Sequence, residues 1–249
     1  MTDPHHPPTG VDSDLGAMLD SALRGAAAGA VAAARLDLLD DLLAAQYTLP
    51  AGERAGHRGA RRGPAADGGA TSLMLRGIPF GLLTPLDRPR LRSATYHSVT
   101  AAGGDDLLAI TAVAVAVISA DLARRFAIGE AEFRCRQTLL EEAPAAVLGA
   151  LNPHGDLSLL GSDSGALAAL RIALTALHRG EGVDDVVDRS AGDDRAVSVV
   201  LAGAWAGIRA RSAGNRPIPE DVIPRLATAV EHMLSGSPVP AASANGSHG

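Results

Sequence analysis

The feature that limits this chain most is a helical run near its C-terminal end with no polar side. Within Gly192 to Pro219, Val197, Val199, Val200, Leu201, Ala202, Ala204, Trp205 and Ile208 point in every direction of a helical wheel. Such a helix must be surrounded by protein. Gly203 and Gly207 lie four apart on one of its faces, and each costs helix propensity relative to alanine. A close approach by a neighbouring helix backbone is the expected compensation. Gly25 and Gly29 repeat the spacing in the first helical run, RGAAAGAVAAARLDLLDDLL. The chain is 47% hydrophobic but only 2% aromatic, so its core must be built from Ala, Leu and Val. That composition favours close-packed helices over a β-sandwich, and the expected fold class is all-α.

A chain of 249 residues is long enough to bury one sizeable core. The polar stretches 1–12 and 236–249 are expected to be disordered tails around a single domain at 13–235. A first helix is predicted from Leu15 to about Leu43, with a break near Gly29 and a buried stripe at Leu36, Leu39 and Leu43. Residues 51–69 read as a flexible Gly/Arg-rich loop carrying Arg54, His57, Arg58, Arg61 and Arg62. Two helices follow between Arg90 and Phe126, separated by residues 101–104. The most apolar run, Leu107 to Ala120, is too short for a bilayer span and reads as a core helix. Leu167, Leu170, Leu174 and Leu177 mark another buried helix. The short helix after it carries Asp184, Asp185 and Asp188 as solvated charges.

The net charge of −6 argues against nucleic-acid binding, and no membrane association is expected. The one cysteine, Cys135, excludes an intramolecular disulfide and fits a reducing compartment. No signal-peptide pattern opens the chain, so the expected location is cytoplasmic. Every Lys/Arg position is arginine, which reads as the codon signature of a GC-rich bacterial genome.

Asp193 and Asp194 stand just before the all-apolar helix. They suit an N-cap and the helix dipole, and they also suit oxygen ligation of a hard cation such as Mg²⁺. The residue types do not separate the two readings.

Four segments, in order and spacing, resemble the ADP-ribosylglycohydrolase family of the dinitrogenase-reductase-activating type, one of them being the long Ala-rich helix and short helix before the last motif. Its last signature is a Gly-Asp-x-Asp-Thr turn, a small-residue helix and an Ile-Pro exit. Here the helix is Ala202 to Gly207 and the exit is Ile218-Pro219. Asp194 falls on the first family Asp, while Ala196 and Val197 fall on the second Asp and the Thr; a one-residue shift puts Asp193 and Arg195 there instead. At the N-terminal end Arg24, Gly25 and Gly29 match, but Ala33 and Ala34 stand where the family has Gly-Asp. In the middle, Arg76, Pro79 and Gly81 match a pocket motif whose Gly-Asn-Gly loop is Ala70, Thr71 and Ser72 here. A family Thr-His pair falls near Thr95, His97 and Thr100.

The resemblance, spanning residues 20 to 230, implies a compact orthogonal helix bundle. The family hydrolyses the glycosidic bond of ADP-ribose on a modified acceptor, using two Mg²⁺ or Mn²⁺ ions. It implies metal ligation by Asp194 and Asp193, ligand binding by Thr71, Ser72 and Arg76, and a Mg²⁺ site weak or absent because partner carboxylates are missing. No catalytic residue is identified. The expected protein is a pseudo-hydrolase that binds ADP-ribose or a related nucleotide, or a protein partner. One alternative is an active Mg²⁺-dependent hydrolase drawing ligands from Asp37, Asp40, Asp41, Asp105 or Asp106. Another is a helical subunit pairing with an active paralogue through its Ala/Gly faces.

Overall fold

Leu, Ala and Met dominate residues 15 to 32, and these are strong helix formers. In a computed structural model, which describes residues 10–44, 70–152, 165–190 and 196–235, they lie in α1 (Gly10–Ala32). The helix starts inside the stretch expected to be a tail and runs straight through Gly29. It stops instead at Ala33–Leu36, before α2 (Asp37–Ala44). The stop is a left-handed C-terminal cap. Ala34 has φ 53°, Arg35 N–H donates to the Ala30 carbonyl at 2.9 Å, and Ala34 N–H donates to Val31 at 3.1 Å. Glycine normally fills that position, because a Cβ strains the left-handed conformation by about 1 kcal/mol. Ala34→Gly is therefore expected to stabilise the protein by roughly 1 kcal/mol, read as a raised urea midpoint. Of the predicted stripe, Leu39 and Leu43 are buried, whereas Leu36 falls in the break and is exposed.

The stretch matched to the pocket motif, its Gly-Asn-Gly loop positions included, is helical throughout. A 3₁₀ segment (Ala70–Arg76) leads directly into α3 (Gly77–Leu83). Next come α4 (Arg88–Ala101) and α5 (Asp106–Ala123), with the predicted break between them. Asp87 and Asp105 cap these helices, accepting from Arg90 N–H at 3.1 Å and Leu108 N–H at 2.8 Å. At 18 residues, α5 is long and apolar enough by composition to cross a membrane, yet 83% of it is buried inside the fold. It is the central helix. The chain continues through α6 (Ile128–Leu139), α7 (Ala145–Ala150), α8 (Gly165–Arg179), α9 (Val183–Ser190), α10 (Ala196–Ala210) and α11 (Val222–Ser235). No strand occurs among the described residues, and the helices share one hydrophobic core. The fold is all-α.

The glycine pairs do what their spacing predicts. Helices α1 and α10 run antiparallel with Gly25 against Gly203, Gly29 against Val199 and Gly207 against Ser21. A methyl on Gly25 would overlap the Gly203 carbonyl oxygen and sit 2.9 Å from its carbon; the reverse holds at 3.0 Å. A third pair joins α3 to α5 in parallel, where a methyl on Gly77 would lie 2.9 Å from Ala116 N and one on Gly81 2.8 Å from Ser119 Cβ. The fully buried Trp205 donates from its indole nitrogen to Ser119 Oγ at 2.9 Å, tying α10 to α5.

Buried charge is confined to a few places. Asp121, with no exposed surface, closes the C-terminal end of α5. Arg88 pairs with it, and Arg134 and Arg124 approach to 3.4 and 3.8 Å. The last two stack on Phe126, at 4.3 and 5.0 Å from its ring centre. The acidic residues of α9 are not simply solvated. Asp184 accepts from Asn215 N–H at 2.8 Å, Asp185 pairs with Arg189, and Asp188 pairs with Arg216. Cys135 is buried with its thiol directed at the Ala114 carbonyl, and burial pushes its pKa up, away from reactivity.

Glu132 of α6 is 2% exposed and meets His178 of α8 at 2.8 Å. Burial pushes its carboxyl above the ordinary range, against the opposing influence of His178, Arg171 and Arg136. A raised folded pKa means that the folded state keeps the proton where the unfolded chain has lost it. Stability from this group is thus complete below the unfolded pKa and declines as pH rises through the folded one. Glu132→Gln is expected to gain stability relative to the parent as pH rises above the ordinary carboxylate range, followed by urea midpoints from acid to neutral pH.

Candidate functional site

The helix registers set which chain ends meet. Because α1 and α10 are antiparallel, the end of α1 lies beside the start of α10. Arg209, in the last turn of α10, donates to the carbonyls of Leu177 and Gly180 at 2.7 and 2.6 Å. The C-terminal ends of α8 and α10 are therefore together, and so are their N-terminal ends. Gly165, the first residue of α8, lies against Thr71 at the start of the 3₁₀ segment, where an added methyl would be 3.3 Å from Thr71 Oγ1. The parallel register of α3 on α5 sends the start of α5 toward the same end. The N-termini of the 3₁₀ segment, α5, α8 and α10 thus open on one end of the bundle. The start of a helix carries partial positive charge, so the convergence favours an anionic ligand, although at α5 the Asp105 carboxylate already accepts from Leu108 N–H.

Thr71 and Ser72 form the first turn of the 3₁₀ segment at this end; Thr71 is half-buried and Ser72 buried. Arg76 closes the same segment and turns its guanidinium toward α4. It donates to the Ser98 carbonyl at 3.1 Å and to Ser98 Oγ at 3.4 Å. Arg76 therefore ties the segment to the last turn of α4. Gly81, matched to the same motif, lies in the α3–α5 contact, and Pro79 is buried within α3. Asp193 and Asp194 lie outside the described residues, between Ser190 and Ala196, as does the arginine-rich stretch 51–69. The described start of α10 belongs to the end just defined.

The alternative acidic residues have local partners where they are described. Asp37 accepts from Arg35 at 2.8 and 2.7 Å, and that guanidinium holds its carboxyl below the usual range. Asp105 caps α5, while Asp106 accepts from the Tyr96 hydroxyl at 2.6 Å. The side chains of Asp40 and Asp41 lie outside the described set. Among the described residues, no group of three or more His, Cys, Asp and Glu side chains is placed to hold a metal. Near the suggested Thr-His pair, His97 is exposed, Thr95 is buried on the Leu91 carbonyl, and Thr100 hydrogen-bonds to Tyr96 O.

Ala34, where the resemblance expects an aspartate, occupies the cap at the end of α1 and belongs to this same end. The left-handed turn stands there without an acidic side chain. Sequence alone does not reveal the Tyr96–Asp106 bond. Its only signal is an aromatic residue shortly before an Asp-Asp pair, which capping explains equally well. No protein-family model matches this chain, and no curated protein matches it.

Proposed function

We propose that this protein is a divergent ADP-ribosylglycohydrolase-type bundle that binds ADP-ribose or a related nucleotide and does not hydrolyse it. The observation that carries the reading is the convergence of four helix N-termini at one end of the molecule. The segments at that end are those in which the sequence resembles the family, from Ala33-Ala34 and Thr71-Ser72 to the start of α10. Oriented N–H groups suit a diphosphate without any metal. Hydrolysis by a pair of divalent ions needs several bridging carboxylates. With Ala34 and Ala196 at two acidic positions of the resemblance, Asp194 and Asp193 are too few to cage two ions.

Calorimetric titration of the full chain with ADP-ribose, before and after adding Mg²⁺, tests the reading. Binding of similar strength in both conditions, with no release of ADP-ribose from modified arginine or serine, is expected. Metal-dependent binding with turnover would make the protein an active hydrolase. Absence of binding in both conditions would turn the search to protein partners. For such pairing, the Ala/Gly faces are already covered within the chain, since Gly25, Gly29, Gly203 and Gly207 meet one another's helices.

A further inference from the structure

A cleft of about 450 Å³ opens between α4, α5 and the end of α6. Its volume lies within the range of small-molecule sites. Ile110, Val113 and Leu139 supply apolar lining, and Arg92, Tyr96 and Glu142 supply polar groups. The Tyr96 hydroxyl is fixed by Asp106 at 2.6 Å. Arg92 is the only cation of the lining and is paired with Glu142, the only anion.

The two members of that pair are held unequally. The Arg92 side chain projects from the middle of α4 and is 28% exposed, whereas Glu142 follows the end of α6 and is 64% exposed. The cation is the anchored partner and the carboxylate the displaceable one. We propose that this cleft binds a small monocarboxylate with an apolar body. Its carboxylate takes the place of Glu142 on Arg92, and its body covers Ile110, Val113 and Leu139. A cationic ligand is disfavoured, because it would take Glu142 away and leave the less exposed guanidinium unpaired. A neutral ligand would gain the apolar contact alone. The site uses none of the residues assigned to nucleotide binding, so it stands whether or not that reading holds.

The full chain would be titrated with 4-phenylbutyrate and, for comparison, with the uncharged 4-phenylbutanol. Phenylbutyrate is expected to bind at least fivefold more tightly. Arg92→Gln should abolish that preference while leaving the weaker binding of the alcohol. Glu142→Gln, which removes the competing carboxylate, should tighten phenylbutyrate about threefold. Ile110→Trp should fill the cleft and weaken both compounds, with circular dichroism confirming that each variant is folded. The proposal is overturned if the parent binds neither compound or binds both equally. It is also overturned if Glu142→Gln weakens the acid, or if Ile110→Trp leaves both affinities unchanged.

Discussion

Gly203→Ala is expected to cost at least about 3 kcal/mol of stability, even though alanine is the better helix former by about 1 kcal/mol. The added methyl would overlap the Gly25 carbonyl oxygen and lie 3.0 Å from the carbonyl carbon. Backbone cannot rotate away as a side-chain tip can. Relief requires α1 and α10 to separate, and Trp205, on the same helix as Gly203, would lose its fit against Ser119. A loss of that size is a large share of the roughly 5–15 kcal/mol that holds a domain together. Gly25→Ala should behave alike, and the double variant should cost less than the sum, because the first methyl has already parted the helices. Gly129→Ala is the control. It lies in α6 with nothing nearer to its added methyl than the His178 ring at 4.0 Å, so it should be neutral or stabilising by up to about 1 kcal/mol. Urea midpoints of the four variants decide the matter; a Gly203→Ala protein as stable as its parent would refute the close contact.

Asp121→Ala should be comparably severe, at about 3–5 kcal/mol. Its carboxylate is fully buried and neutralises an arginine cluster beneath the end of α5. Removing it leaves Arg88, whose other bond is to the Val117 carbonyl at 3.2 Å, without its counter-charge. Arg124 and Arg134 would be held near each other by Phe126 with nothing to offset their repulsion. Arg134→Ala removes a partly exposed partner at 3.4 Å and should cost only about 1 kcal/mol or less. The contrast is the test. Equal losses from the two substitutions would mean that the carboxylate does not organise the cluster.

Helix pairing was readable in the sequence because glycine in a helix is unfavourable unless something requires it. Gly25, Gly29, Gly203 and Gly207 therefore announce a close contact before any partner is known. The break after α1 was not readable, because Ala34 adopts a backbone conformation that alanine disfavours and tertiary packing enforces. The α9 aspartates looked solvated because their partners, Asn215 and Arg216, come from a loop 31 and 28 residues further along. Arg88 and Arg134 are likewise far in sequence from Asp121, whose role depends on them. At the candidate site, residue types suggested Thr71, Ser72 and Arg76 as a group. Direction was invisible: the 3₁₀ segment turns Arg76 toward Ser98, away from its first turn. Nor does any local pattern tell that the starts of α5, α8 and α10 face one way, since packing registers between distant helices decide it.

The clasp between α1 and α10 also governs when the molecule can close. Its two halves lie near opposite ends of the chain, so during translation α1 emerges long before the helix that covers it. Until then its small-residue face is an open seat for any α10, including one from another polypeptide. Crowded polysomes and concentrated refolding mixtures are accordingly where exchanged dimers should arise, each copy lending its tenth helix to its neighbour.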